Sequence, residues 1–453
     1  MQCGIAAVGH THPARPRRTI TGWDVLVLVA ANAVAVVGLW WRQGGLREIH
    51  DVAGLLTGLG RVTGLLGAFL ALVQLLLLAR IPVLSRAGLD RVATWHRRNG
   101  IACLALLVAH TALITAGYAL TDRVPVSREL ADLLGRYPGV LLATVGLGLL
   151  VAVVVSSVVV VRRRLGHRAW HALHVTAYAA IALAFSHQMA TGHEFQGQPV
   201  ARAYWWALYG VTLAALVGLR IVAPVARSLR RRLRVERIVH EAPGVLSIEI
   251  GGERLDRFGV VSGQSLHWRF LAPGLWQHAH PFSLSAAPDG RRLRITVRQR
   301  AGYTSRLAAL RPGTRVIADG PYGGFATAAR TRPRIALIAG GIGITPIRAL
   351  LEDMPAGPGD IAVIYRASSA GEVLFRDELD ELSRRRGADL HYAVGDRAGD
   401  GVLSPERLRE LVPDIAERDV FVCGPRSMTE ATRASLRRAG VQPGQIMCEG
   451  LGL

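Results

Sequence analysis

The chain has 453 residues, half of them apolar, and 54 basic against 33 acidic residues give a formal charge of +21. Every basic residue other than histidine is arginine. That content excludes a disordered or collagen-like chain, and so much apolar sequence beside so much charge implies that the two are segregated. Cys3, Cys103, Cys423 and Cys448 lie far apart with no CxxC spacing. Their placement speaks against a disulfide framework, a zinc ribbon and a cysteine-ligated iron–sulfur cluster.

In chain order, the first half is a series of apolar runs: Val25–Trp41, Val62–Ala79, Ile101–Leu120, Val140–Val161, Ala169–Phe185 and Ala203–Val222. Each approaches the ~17–25 residues that cross a bilayer as a helix, so six spans are expected. A signal peptide cleaved at Ala31-Asn32-Ala33 is the competing reading of the first run. The run continues to Trp41, which favours a retained span. Arginines crowd alternate loops: Arg15, Arg17 and Arg18; Arg80, Arg86, Arg91, Arg97 and Arg98; Arg162, Arg163, Arg164 and Arg168; Arg227, Arg230, Arg231, Arg232 and Arg234. The intervening loops mix fewer arginines with acids, as in Arg42–Asp51, Asp122–Arg136 and Glu194–Arg202. Cytoplasmic loops carry the positive excess, so both termini are expected in the cytoplasm. The charge is then topological, with anionic lipid as a secondary contact, and nucleic-acid binding is a weak reading.

After Arg234 the texture changes to short alternating strands, Val245–Ile250, Ser265–Phe270, Leu293–Arg298 and Arg315–Ala318, which suggest a small antiparallel barrel. From Arg334, strands Ile335–Ala339, Ile361–Tyr365, Leu390–Val394 and Val420–Cys423 alternate with helical stretches near Pro346–Glu352, Glu372–Arg385 and Ser427–Arg438. That alternation predicts a parallel α/β sheet.

Ionisable residues inside a bilayer are costly and usually functional. His96 opens the third span and His110 lies within it, 14 residues on; His174 and His187, 13 residues apart, lie near the two ends of the fifth. Each pair covers about 20 Å of helix axis. The two helices run the same way, so His96 faces His174 at the cytoplasmic level and His110 faces His187 at the outer level. Two facing imidazoles can hold one haem iron axially, and two levels make two stacked b-type haems. Thirteen residues rotate a helix face by about 140°, so the fifth span must bend or meet the haems from different sides. His171 competes with His174 for the inner level. Together the spans and histidine spacing resemble the ferric reductase / NADPH oxidase superfamily, in particular bacterial members that fuse a haem-bearing membrane domain to a ferredoxin-reductase-type module.

The resemblance implies an N-terminal tail (1–20), a six-span haem domain (21–226), an FAD-binding β-barrel (233–328) and an NAD(P)-binding α/β domain (333–453). It implies a flavin signature at His280-Pro281-Phe282-Ser283, the ring of His280 beside the isoalloxazine and the Ser283 hydroxyl reaching flavin N5. It implies a diphosphate-binding segment running from Arg298 through Tyr303 to Thr304, in which the family's usual glycine falls on Ala301 and Gly302 stands next to it. Gly320-Pro321-Tyr322-Gly323 then closes the barrel. Gly340, Gly341 and Gly343 follow a buried-strand pattern and precede Thr345-Pro346, where a helix starts; glycines admit a diphosphate and the helix N-terminus favours its charge. The resemblance places Cys423-Gly424-Pro425 and Met428 at the nicotinamide, with Cys423 as a small buried strand residue the alternative. Arg366 and Ser368 stand where a 2′-phosphate would sit, a slight argument for NADPH over NADH. Many relatives end in an aromatic ring stacked on the flavin; this chain ends Cys448-Glu449-Gly450-Leu451-Gly452-Leu453, and Glu449 is a candidate polar contact there.

The implied activity is an NAD(P)H-dependent oxidoreductase in the bacterial cytoplasmic membrane, passing electrons through FAD and two haems to an outer acceptor, for which ferric chelates are favoured. Arg123, Arg128, Arg136 and Arg202 could attract such anions. The alternatives are superoxide formation from dioxygen, delivery to a periplasmic partner, a haem-free flavin reductase on a membrane anchor, and a six-span transporter with a regulatory nucleotide domain.

Overall fold

The computed structural model describes residues 22–79, 81, 84, 89–158, 166–192, 195, 198–395 and 401–451. The expected tail 1–20, Arg80, Arg86, Arg162, Arg163, Arg164, Glu194 and the end Gly452-Leu453 lie outside them, as does the side chain of Arg168. The chain divides into two compact units. One comprises the described residues up to Gln74 together with Arg97–Trp206; the other comprises Leu75–His96 and the chain from Ala207.

The helices of the first half are α1 (Gly22–Arg42), α2 (Val52–Leu78), α3 (Leu89–Asp122), α4 (Val126–Arg136), α5 (Val140–Ser157), α6 (His167–Thr191), α7 (Pro199–Val217) and α8 (Ala223–Arg230). Six stretches are long and apolar enough to cross a membrane, the last being Pro199–Arg230, which passes through a π-helical turn at Gly218–Val222. Their large apolar side chains stay exposed, for example Val27, Leu28, Val34, Leu141, Val211 and Leu213. Only a hydrocarbon surrounding makes that surface stable. The short helix α4 falls in a loop where none was expected, because an amphipathic helix of 11 residues with two acids, Glu129 and Asp132, has no long apolar run to announce it.

Contact between α2 and α3 is a stripe of small residues. A methyl group on Gly60, Gly64 or Gly67 would meet Ile114, His110 or Leu107 at 2.9, 2.5 and 2.7 Å. Spacings of four and three residues put these glycines on one face, the arrangement by which membrane helices approach closely. Likewise Gly146 of α5 would meet the Ala180 carbonyl of α6 at 2.7 Å.

The second unit carries two sheet systems. Strands β1 (Arg234–Ala242), β2 (Val245–Gly251) and β5 (Arg292–Arg298) form one antiparallel sheet; β4 (His280–Ser283), β3 (Ser265–Phe270) and β6 (Val316–Tyr322) form another. Single bridges, Leu284 to Ile295 and Arg234 to Arg315, join the sheets at both edges, giving the ring 1-2-5-4-3-6. Its interior is apolar, with Leu246, Ile248, Ile250, Leu266, Trp268, Phe270 and Ile295 fully buried. A short helix α9 (Tyr303–Arg306) sits between β5 and β6.

Beyond it lies a five-stranded parallel sheet in the order β11-β10-β7-β8-β9, from β7 (Ile335–Gly340), β8 (Ile361–Ala367), β9 (Asp389–Val394), β10 (Asp419–Pro425) and β11 (Ile446–Leu451). Its helices are α10 (Ile344–Asp353), α11 (Arg376–Arg386), α12 (Pro405–Leu411) and α13 (Arg426–Arg438). Strand β7 is buried along its length, as a central strand covered on both faces must be. Helix α11 has Asp377 and Glu378 in its first turn, Arg384–Arg386 in its last and Gly387 left-handed at its end, each complementing the helix dipole or its cap.

Candidate functional site

In the membrane unit, His110 on α3 and His187 on α6 face each other with ring centroids 6.4 Å apart. The Nδ1 of His110 bonds the Gly60 carbonyl at 2.8 Å, which fixes Nδ1–H and leaves Nε2 as the available acceptor. The Nδ1 of His187 is held by the Thr191 hydroxyl at 2.7 Å, again leaving Nε2. A metal–imidazole bond is about 2 Å and a ring centre lies about 1.2 Å behind its nitrogen, so two imidazoles in line on one metal have centres about 6.4 Å apart. The pair therefore has the separation, the tautomers and the outer partners of a bis-imidazole ligand set. Gly64 completes the cradle, since a side chain there would collide with the His110 ring.

At the other end of α6, His174 is half-buried, its Nδ1 3.4 Å from the Ser157 hydroxyl and its ring beside Trp170 at 4.9 Å. His171 is exposed. Of these two neighbours, His174 has the more enclosed imidazole. His96 is half-buried on α3, one helix with His110 and about 21 Å from it along the axis.

In the second unit, His280, Pro281, Phe282 and Ser283 make up the whole of strand β4. They pair in register with Trp268, His267, Leu266 and Ser265 of β3, and the Trp268 indole donates to the Phe282 carbonyl at 3.1 Å. The His280 ring stacks on Tyr303 at 3.8 Å and is near-parallel to Phe282 at 6.4 Å, an aromatic shelf of the size that receives a planar ring system. Burial, with His278 nearby, lowers the His280 pKa. Ser283 is buried at the end of the strand. The turn into α9 is made by Gly302, at φ +100°, so the one-residue shift from Ala301 is absorbed there. Thr304 spends its hydroxyl on its own turn, accepting from the Arg300 amide at 2.8 Å and donating to the Arg300 carbonyl. Arg298 is half-buried at the end of β5, where its guanidinium acts on the Tyr365 hydroxyl.

In the parallel sheet, Gly341–Gly343 form a 3-10 turn directly after β7, and α10 begins at Ile344 with Thr345 and Pro346 in its first turn. The glycines are required by packing as well. A methyl on Gly340 would lie 2.1 Å from the Met428 sulfur, and one on Gly343 would lie 2.3 Å from the Cys423 carbonyl. Gly340 and Gly343 are thus brought against Cys423-Gly424-Pro425 and Met428, while Gly341 stands in open space and serves the turn through its φ of +54°. Tyr365, which the spacing did not single out, locks this turn: its hydroxyl donates to the Gly341 carbonyl at 3.2 Å and accepts from the Leu374 amide at 3.1 Å. Arg366 and Ser368 follow at the end of β8, both half-buried.

Cys423 is fully buried in the apolar core beside Phe421, and burial drives its thiol pKa well up. It is a neutral filler here, with neither the exposure nor the ionisation of a nucleophile. Its register partner on β11 is Glu449. One carboxylate oxygen of Glu449 is sealed from solvent with no hydrogen-bond partner among the described residues, and burial raises its pKa to about 7. An orphaned acid at the sheet's C-terminal edge fits a site that completes itself with a bound group.

A network of ion pairs fixes barrel and sheet to one another. Glu378 of α11 takes both nitrogens of Arg294 from β5, at 3.0 and 2.9 Å, and Arg348 of α10 at 2.7 Å. Arg348 also holds Glu352, which accepts from the Ala287 amide.

Residues 63–185 match the family described as ferric reductase like transmembrane component, and residues 337–434 match the oxidoreductase NAD-binding domain. The chain is similar to a flavohemoprotein of a Burkholderia species, 28% identical over 270 residues, covering 55% of this chain and 67% of that protein. A flavohemoprotein of Pseudomonas putida is 32% identical over 181 residues, covering 38% and 46%. An NADPH oxidoreductase of Mycobacterium tuberculosis is 28% identical over 211 residues, covering 45% and 55%, so the chain spans about half the length of these last two relatives. Among solved structures, the FAD/NAD-binding domain of a Vibrio cholerae nitric oxide dioxygenase aligns over 49% of this chain and 100% of its own, at 24% identity and a TM-score of 0.40.

Proposed function

The chain joins a ferric-reductase-like membrane component to an FAD/NAD(P)H-binding oxidoreductase module, and from that premise we propose that it carries electrons from NAD(P)H across a membrane through two haems to an acceptor, a ferric chelate by preference. The observation that carries the reading is the His110–His187 pair, whose separation and tethered Nδ1 atoms suit two axial ligands of one iron.

FAD would supply the step from two-electron to one-electron chemistry, and the haems the one-electron path through the bilayer. The protein's part is placement. His280, Phe282 and Tyr303 offer the shelf for the flavin ring, with Ser283 at its edge and Arg298 on the diphosphate side. The turn of Gly340, Gly341 and Gly343, with Thr345 and Pro346 opening α10, takes the nucleotide diphosphate at a helix N-terminus. Arg366 is the cation for a 2′-phosphate, and Gly424, Pro425 and Met428 form the floor under the nicotinamide. Cys423 fills the strand end below it. Glu449 in its neutral form can donate a hydrogen bond into the site. In the membrane, His96 and His174 are assigned to the inner haem, His110 and His187 to the outer. With both imidazoles of a level engaged as ligands, a haem held there would pass electrons rather than bind dioxygen.

The test is an optical spectrum of the detergent-purified protein, before and after NADPH and FAD under anaerobic conditions. A low-spin bis-imidazole spectrum that becomes reduced is expected, with two haems per chain by pyridine haemochrome. A colourless protein after haem reconstitution would return the first half to an anchor or a transporter.

A further inference from the structure

Arg227, Arg230, Arg231, Arg254 and Arg257, with Glu253, line one open basin of about 250 Å³ between α8 and the turn after β2. None of its residues has a part in the electron path proposed above. Most of its charge is not neutralised from within. Glu253 is taken by Arg232, outside the basin, at 2.8 Å. Arg227 donates to the Gly320 carbonyl at 2.9 Å and lies 3.8 Å from Asp319. Among the described residues, Arg257 has only the exposed Asp256, at 3.8 Å. Arg230 and Arg254 have no acidic or carbonyl partner for their guanidiniums among the described residues.

The basin is also built rather than accidental. Arg231 reaches across from α8 to the carbonyls of both Arg254 and Arg257, and its guanidinium lies over the Phe258 ring at 5.3 Å. This clamp holds the turn 253–257 against the helix. Two residues here, Arg232 at φ +49° and Arg254 at φ +53°, adopt the left-handed conformation that side chains other than glycine disfavour. They are two of four such residues among those described. Strain that the surroundings hold in place marks a position set for a task.

Its neighbours point to the ligand. Helix α8 ends the last apolar stretch, Pro199–Arg230, and Ile221, Val222 and Leu229 are 60%, 56% and 55% exposed just before Arg230. Apolar side chains followed by a ring of guanidiniums match the order of depth in a lipid leaflet, hydrocarbon and then phosphate. Arginine is the side chain whose fork pairs with phosphate oxygens two at a time.

We propose that this basin binds a phosphate group, that of an anionic phospholipid. The bound head group neutralises the converging arginines and pins the membrane-exit helix to β6, through Arg227 at Gly320 and through Ser228, whose hydroxyl meets the Ala318 amide at 3.0 Å.

Limited tryptic digestion of the full chain tests this, read by mass spectrometry as the cleavage rate after Arg231 and Arg257. The chain is placed in phosphatidylcholine nanodiscs, in the same discs with phosphatidylglycerol, and in detergent with inorganic phosphate. With phosphatidylglycerol, cleavage slows about tenfold when the lipid is at ten times its Kd, and high salt reverses the effect. The variant Arg230→Gln/Arg254→Gly loses the protection; glycine keeps the left-handed turn without a steric cost, and unchanged flavin absorbance confirms its fold. Arg384→Gln/Arg385→Gln, which removes two exposed charges elsewhere, keeps it. Equal protection by inorganic phosphate overturns the lipid assignment in favour of a soluble phosphate ligand. Equal cleavage with and without phosphate in every setting, or equal protection of wild type and basin variant, overturns the site.

Discussion

Glu449 shows how one side chain can set a pH dependence. Burial raises its carboxyl from 4.5 to about 7 on folding, with one oxygen sealed away from any partner among the described residues. Between those values the folded chain binds more protons than the unfolded one, so stability is full at low pH and falls as pH rises through about 7. The shift corresponds to at most roughly 3 kcal/mol. In Glu449→Gln the neutral amide removes the penalty. Thermal melts of the flavin-free full chain should coincide with wild type at pH 4, below both values, and lie several degrees higher at pH 8. Parallel melting curves across that range would show that the carboxyl is solvated. The sequence marked Glu449 only as a polar residue where relatives carry an aromatic ring. Its isolation depends on the pairing of β11 with β10, which no local pattern announces. Tyr365 was hidden for a related reason: in a buried strand an aromatic residue reads as core, and its hydroxyl matters only once the fold brings Gly341 above it.

Among elements, legibility followed the length and regularity of the hydrophobic signal. The six apolar runs and the central strands β7, β8 and β10 stand out because burial on all sides leaves long apolar stretches. Strand β1 mixes charged residues irregularly with valine and isoleucine, β4 contains a proline, and β11 carries Cys448 and Glu449 ahead of a glycine, so each lacked a sequence pattern of its own. The second span was read from Val62 because Arg61 interrupts the run, yet α2 starts at Val52 and accommodates Arg61 by pairing it with Glu48. The same helix carries a further feature that only packing reveals. Gly64 is where α2 approaches α3 at His110, so Gly64→Ala should force the imidazole away from its Gly60 carbonyl without touching a ligand. Haem content by pyridine haemochrome should fall from two toward one per chain, with outer-haem affinity down by about tenfold or more. Full occupancy with an unchanged low-spin spectrum would separate the glycine stripe from the haem reading.

At the scale of the whole molecule, the proposed electron path would make the chain a device that separates two half-reactions. The residues proposed for dinucleotide and flavin and the Arg294–Glu378–Arg348 network belong to one cross-linked module, while the His110–His187 pair is set in apolar helices. A reductase that needed only to deliver electrons on its own side would have no use for imidazoles at a second depth of the membrane. The consequence is a division of labour that one substitution can expose. In sealed vesicles with the nucleotide module facing out, His110→Leu should leave NADPH-driven reduction of a dye in the outer medium near wild type. Reduction of an impermeant acceptor trapped in the lumen should fall by at least about a hundredfold. His187→Leu should behave alike, because the two rings act as one ligand set. His96→Leu and His174→Leu should also stop lumenal reduction, but with loss of the other haem in the spectrum. If His110→Leu reduced the trapped acceptor at the wild-type rate, electrons would be crossing without the outer pair. The helices would then be an anchor for a flavin reductase, and the 6.4 Å approach of the two imidazoles a packing contact alone.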